Sequence, residues 1–440
     1  MYNYRKLNYH DKNYLTNNVY GLLKNPLTFI EKIKNKTTSD DYLKYATFIR
    51  KLRTMNKLTI ADLSKDICSI SYLSKLENGL LQANNSTIGL LFERLGVDFD
   101  TFSKQNEKID LHEVVFYYAE GDIKALEKKK EEADLIPLNI LVPIVRGFYY
   151  LAINRLDLVK QEIINIDPVK ETLSQEDALI FLFIVIEYYV KISYHKIAYN
   201  YLKLSNELPT TDPILKLLFL ENKIKVGYNL SNNVLLVNAY REFAITKTPT
   251  YPVMRTIEVN YLYNLAIFND FPNDVLNNTN HLFTHKLKEE EKILNFYYEN
   301  LIKLKTIPPL DIYKNLIEHK DYLKNGKILA LLSYVVFILD KAEYYHALTF
   351  FTKDYNFDAI DYVHQKFVCF VLMYGSRTND SELLQFMKDE IMPEIDNEIY
   401  LIYNDIYEVV YINLLASFSR YKEIYLFFRD HNFYKASFNG

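Results

Sequence analysis

The sequence has no tryptophan, and its 440 residues include only two cysteines, 10 glycines and 12 prolines. Each scarcity excludes something. Cys68 and Cys369 cannot build a disulfide framework, and two cysteines fit a reducing compartment. So little glycine and proline, beside 49% hydrophobic residues, excludes a low-complexity chain and describes a folded one. The opening residues MYNYRKLNYH are polar, so no secretory signal is expected. The greasiest run, ALIFLFIVIEYYVKI from Ala178, contains Glu187. It is shorter than the roughly 20 residues that a membrane span needs, so it reads as a buried helix. The resulting expectation is a cytoplasmic protein without a membrane segment.

Catalytic motifs are missing too. There is no HExxH, no paired CxxC, no GxSxG and no glycine-rich phosphate loop. His281 and His285, in HLFTH, have a spacing that puts two metal ligands on one helical face. Leu282 stands where a zinc protease carries its general-base glutamate, and the pair reads as a surface pair near a helix end. The expectation is no enzyme, no metal and no cofactor.

Tyrosine (39) and phenylalanine (27) are plentiful, and the length allows two or three domains with a large core. The net charge of −4 is unevenly spread: residues 1–84 hold 14 Lys/Arg against 7 Asp/Glu, which leaves −11 for the remainder. A basic module joined to an acidic body suits an N-terminal nucleic-acid reader. A bias of this size is also common in chains that bind no nucleic acid.

The stretch LTIADLSKDICSISYLSKLENG, Leu58 to Gly79, reads as two short helices joined by a tight turn, the layout of a helix-turn-helix. A helix is expected from Asp41 to Asn56, with Tyr45, Phe48, Ile49 and Leu52 on its apolar face. Thr59 N-caps the next, Ile60 to Asp66, and Asp62 approximates a capping box. Ser69 or Ser71 starts the third, with Leu73 and Leu76 inward, and Asn78-Gly79 ends it. A fourth helix, Ser86 to Leu95, and a short fifth, Phe99 to Lys104, complete the module. Cys68 in the turn reads as a small buried apolar residue.

This order of IRKLR, LT, ADLS, ISYLSKLENG and ERLGVDFD resembles the lambda-repressor-like (XRE) DNA-binding domain. The resemblance implies a structural ion pair between Arg53 and Glu77. It implies base and backbone contacts from Ser69, Ile70, Ser71, Tyr72 and Lys75, with Thr59 and Asn78 near phosphates. One position departs from the pattern: Ile60 replaces the glutamine common there. The departure either weakens DNA contact or makes Ile60 a core or interface residue. A module of this kind can also lose DNA binding and serve as a protein-interaction domain.

Residues 1–40 lie outside that match. They hold Lys24, Lys32, Lys34 and Lys36 and a weak helix, Leu27 to Ile33. They read either as a basic arm that touches DNA or as a solvated tail.

From about residue 105 onward, amphipathic helices follow one another without strand alternation. Candidate first helices of hairpins begin near 136, 175, 212, 250, 288, 325, 358 and 396, a period of 33 to 39 residues. Such a period marks a helical-hairpin solenoid of the tetratricopeptide class, with an irregular helical bundle as the alternative. The fold expected is therefore all-α. Its parts are a basic extension (1–40), a helix-turn-helix domain (41–104), connecting helices (105–135) and tetratricopeptide-like repeats (136–440). Asn222 and Asn260 are 38 residues apart, one repeat, and Asn264, Asn295 and Asn300 extend the series. An amide both donates and accepts, which matches a peptide backbone. Arg146 and Glu187 interrupt apolar segments and are candidates to grip charged groups of a ligand. The chain is rich in asparagine, so such pairs also arise by chance.

The combination of the two parts resembles the peptide-pheromone regulators of low-GC Gram-positive bacteria, the RRNPP group with its PlcR-like and NprR-like members. That resemblance implies a homodimer on a double-stranded DNA operator, switched by a short signalling peptide in the repeats (quorum sensing). Two other readings stay open. In one, the repeats hold a protein partner or serve only for dimerisation. In the other, the repeat protein acts on a response regulator.

Overall fold

Regular structure in this chain is helical throughout the described residues, with no strand among them. The computed structural model describes residues 21–35, 40–99, 109–136, 139–248, 251–268, 270–280, 287–353, 355, 357, 362–376, 379–397 and 403–430. The candidate pair His281 and His285, and the fifth short helix beyond Phe99, lie outside them.

By contact density the chain divides into two units. The first is Met1–Tyr189 with Ile197–Lys223 and Glu242–Pro249; the second is Val190–Lys196 with Ile224–Arg241 and Thr250–Gly440.

The first unit opens with α1 (Pro26–Lys34), α2 (Asp40–Met55), α3 (Ile60–Ser64), α4 (Ile70–Glu77) and α5 (Asn85–Arg94). α1 is the largest surprise relative to the sequence. Pro26, Phe29, Ile30 and Ile33 recur at helical spacing and are all buried, so the segment is packed rather than solvated. Proline near the start supplies a ready-made helical φ. Lys32 and Lys34 form ion pairs with Glu171 (2.6 Å) and Glu207 (3.0 Å) of the same unit.

Helix pairs follow. Their first helices are α6 (Leu111–Glu120), α8 (Val142–Ala152), α10 (Gln175–Lys191), α12 (Pro213–Asn229), α14 (Val253–Ile267), α16 (Glu289–Lys303), α18 (Gly326–Leu339), α20 (Tyr362–Ser376) and α22 (Asn404–Ser417). Their starts are 31 to 42 residues apart. The hairpin Leu111–Asp134, expected as connecting helices, has the same two-helix form as those after it. Short polar caps set the starts: the side chains of Asp110, Asp122, Asn325 and Asn379 each accept a first-turn backbone N–H.

The greasy run from Ala178 lies in α10, where Ala178 to Tyr189 are all buried. Phe148 and Phe183 stack at 5.8 Å with Tyr118 edge-on to both, and the Tyr118 hydroxyl donates to buried Glu187 at 2.9 Å. A second aromatic pair of this unit, Tyr189 on Tyr201, stacks at 5.9 Å. In the second unit, Glu258 takes Lys225 at 2.8 Å and Lys327 at 3.0 Å. The two lysines hold its carboxyl well below the usual carboxylate range, against the opposing effect of burial. Tyr261 stacks on Tyr298 at 4.7 Å, and Tyr240 on Tyr263 at 3.7 Å. No helix among the described residues is long and apolar enough to cross a membrane.

Candidate DNA interface

The N-terminal module is built on one small core. Phe48, Ile49 and Leu52 of α2 meet Leu63 of α3, Leu73 and Leu76 of α4, and Ile88, Leu91 and Phe92 of α5. Phe48 stacks on Phe92 at 5.1 Å, and Tyr45 and Phe99 pack around Phe92. Ile60 is half-buried and packs against this core. Cys68 also packs there half-buried, and burial pushes its thiol pKa up, the opposite of a reactive thiolate.

Four short-range devices fix α3 and α4. Thr59 and Asp62 form a complete capping box: the Asp62 N–H donates to Thr59 Oγ1 at 3.1 Å, and the Thr59 N–H donates to Asp62 Oδ2 at 2.9 Å. The turn crosses Asp66, whose φ of 61° is left-handed. Ser69 then caps α4 by accepting the Tyr72 N–H at 3.1 Å. At the far end Gly79, with φ 68°, lets its own N–H reach Leu76 O (2.9 Å) and the Leu80 N–H reach Lys75 O (2.8 Å).

Longer-range polar contacts then lock α4 in place. The Arg53 guanidinium donates to both oxygens of Glu77, at 2.7 and 2.8 Å, and also to Leu58 O at 2.9 Å. The bond to Glu77 raises the Arg53 pKa further. Two contacts escape sequence reasoning. Arg94 donates to the carbonyls of Leu63 and Lys65 at the end of α3. Arg50 donates to Asn78 Oδ1 at 3.3 Å. Arg50 and Arg53 are one helical turn apart in IRKLR, so that spacing was the available signal for Arg50.

Ser69, Ile70, Ser71 and Lys75 form the outward face of α4; Ile70 is 57% exposed despite being apolar. Tyr72 is half-buried and leans on the core. The Thr59 hydroxyl is held at 2.6 Å by Asp62, and the Asn78 amide is held by Ser74 O and Arg50. Both side chains therefore serve the frame of the motif.

The seven candidates in the helical body are scattered in role. Arg146 pairs with Asp134 at 2.7 Å and lies 4.0 Å from Glu162. Asn260 accepts the Tyr240 hydroxyl at 2.9 Å, and Asn264 donates to Asn260 O. Asn295 accepts from Tyr261 and donates to Glu299, while Asn300 accepts from Asn315 and donates to Phe296 O. Glu187 takes the Tyr118 hydroxyl. Asn222 differs: it is 1% exposed, and neither its amide oxygen nor its nitrogen has a hydrogen-bond partner.

Residues 49–102 match the family model described as Helix-turn-helix. No curated protein and no solved structure matches the chain. The match covers α2 from Ile49 through α5 and implies a DNA-binding transcription regulator.

Proposed function

We propose that this regulator reads duplex DNA through Ser69, Ile70, Ser71 and Lys75, with Tyr72 at the edge of that face. The observation that carries the reading is α4 itself. It is capped at both ends and pinned by Arg53–Glu77, yet its outer face has no packing role. Serine hydroxyls bond to several base edges, lysine favours guanine, and an exposed isoleucine suits a thymine methyl. Thr59 and Asn78 lie at the two ends of the motif, where backbone amides approach phosphates.

The signal we propose is a short peptide taken by the helical repeats of a homodimer. Asn222 supports this part. A buried amide without partners costs about 1–3 kcal/mol, a cost that a peptide backbone would remove by offering a carbonyl and an N–H. Asn260, Asn264, Asn295, Asn300, Arg146 and Glu187 are candidates only if their present partners exchange for ligand.

Two measurements test the proposal. Selection from a random duplex pool, followed by fluorescence anisotropy with the full chain, should yield a preferred sequence whose binding Lys75→Glu abolishes. Titration with short peptides encoded beside the gene should raise the melting temperature of wild type and not of Asn222→Leu. No selectable duplex would sink the first part, and no responsive peptide the second.

A further inference from the structure

One turn of the first unit, residues 167–175, touches both α1 and the DNA reader. Asp167 Oδ1 accepts the Lys24 N–H at 3.0 Å and the Lys170 ammonium at 2.7 Å. Lys170 itself lies 6.0 Å over the Phe29 ring. The Gln175 amide donates to the carbonyls of Ile33 (3.3 Å) and Lys34 (3.4 Å), closing the end of α1. Upstream, the Leu22 N–H donates to the Tyr189 hydroxyl at 2.7 Å, where Gly21 passes so close that a Cβ would lie 2.0 Å from that oxygen. Residues 21–35 are thus a strap tied down at four points.

Glu171 belongs to both sides. Its Oε2 takes Lys32 of the strap at 2.6 Å and lies 3.8 Å from Nη1 of Arg50 on α2. The same Arg50 nitrogen donates to Asn78, the C-cap of α4. The path runs Lys32, Glu171, Arg50, Asn78. Next along α2, Lys51 lies in the field of Arg146 and Glu162, with burial lowering its pKa, so this face of α2 is turned to the body. Three of these four side chains are less than one quarter exposed or bonded at both ends, which limits solvent screening.

We infer that Glu171 is a positioning residue for the DNA reader: through one carboxylate it ties the strap to the end of α4 and fixes how the reader is held against the turn at 167–175. The DNA arm of the test rests on the reading proposed above; the exchange arm does not.

The test is amide hydrogen exchange by mass spectrometry on the full chain, following peptides that cover 26–34 and 73–81. Glu171→Lys should speed exchange at least tenfold in both. Adding Lys32→Glu should restore 26–34 alone, whereas Arg50→Ala in the wild-type background, which removes the donor to Asn78, should speed 73–81 and leave 26–34 as in wild type. Exchange in 73–81 that ignores every variant would overturn the inference, as would the absence of the Lys32→Glu rescue. If Glu171→Lys does not fold, Glu171→Gln gives the same two readouts at about threefold. In the DNA arm, Glu171→Gln should lower affinity for the selected duplex at least threefold. Removing a negative charge would by itself raise that affinity, so an increase or no change also overturns it. Lys75→Glu run in parallel separates the outcomes: if it binds as wild type does, the DNA reading has failed while the exchange result stands.

Discussion

Arg53 and Glu77 meet through two parallel hydrogen bonds, with the carboxylate 2% exposed and the guanidinium also holding Leu58 O. The pair joins α2 to the end of α4 and to the turn before α3. Its geometry satisfies both oxygens, which is the condition under which a buried ion pair repays its desolvation. Glu77→Ala leaves the partly buried Arg53 guanidinium without its carboxylate and should cost about 2–3 kcal/mol, less than a fully buried pair because solvent reaches the cation. Arg53→Met with Glu77→Leu should cost far less, because both charges leave together. Urea denaturation of the two variants checks this; equal losses would mean that the cost lies in packing.

Lys75 is the exposed cation of α4. Its role in DNA binding should appear in the salt dependence as well as in affinity. Lys75→Ala should weaken the selected duplex about tenfold and lower the magnitude of the salt slope by about 1. Anisotropy at several salt concentrations measures both. An unchanged slope would place Lys75 away from the phosphates.

The strap's anchorage predicts two more variants. Tyr189→Phe removes the hydroxyl that accepts the Leu22 N–H and should cost about 1–2 kcal/mol. Gly21→Ala should cost more, because at φ +60° its methyl would meet the Tyr189 hydroxyl. Both should raise proteolysis within 21–35 before the rest of the chain is cut. Cleavage spread evenly over the chain would contradict a separately anchored strap.

How much of this was legible in the sequence depends on distance along the chain. Thr59 with Asp62, Ser69 over α4, and Asn78-Gly79 all act within four residues, and the sequence reading placed each within one or two residues. Arg53 and Glu77 are 24 residues apart and came only through resemblance. Arg94 to Lys65 O and Arg50 to Asn78 have comparable separations without that help, and were missed. Glu171 is farther still: 139 residues from Lys32, it looks like any solvated acid in VKETLSQED. The asparagines show the opposite case. Asn222 and Asn260 are 38 residues apart, yet Asn260 has a side-chain partner in Tyr240 and Asn222 has none. Periodicity locates a helix face, but the occupants of neighbouring faces decide what is left free.

Two histidines of opposite character shape the pH response. His112 Nδ1 lies 2.7 Å from Asp212 and Nε2 lies 3.0 Å from Glu176, and the bond to Asp212 leads in raising its pKa above 6.5. The stabilisation it provides is complete below 6.5 and is lost as pH rises through the folded value. His112→Gln should therefore be less stable than wild type at pH 6, with the gap closing on the alkaline side. Thermal melts from pH 6 to 9 test this, and a constant gap would refute it.

His195 is buried, its Nδ1 lacks a hydrogen-bond partner, and burial lowers its pKa to about 4. The unfolded chain takes up this proton near 6.5 while the folded chain resists it, so stability should fall as pH drops from 6.5 towards 4. The full effect is on the order of 3 kcal/mol. His195→Leu should remove that slope, and parallel slopes in the two proteins would count against it.

The stacked tyrosines acquire an optical meaning because the chain contains no tryptophan. Near-ultraviolet circular dichroism then comes from phenolic and phenyl rings, without an indole to mask them. Tyr189 on Tyr201 belongs to the first unit, and Tyr240 on Tyr263 and Tyr261 on Tyr298 to the second. Each face-to-face pair is a built-in chromophore whose exciton signal vanishes when its own unit melts. A single indole introduced at Tyr72 would add fluorescence from the DNA reader alone. The indole would then report on the DNA reader and the tyrosine band on the stacked pairs, each by its own wavelength, when a duplex or a peptide is added.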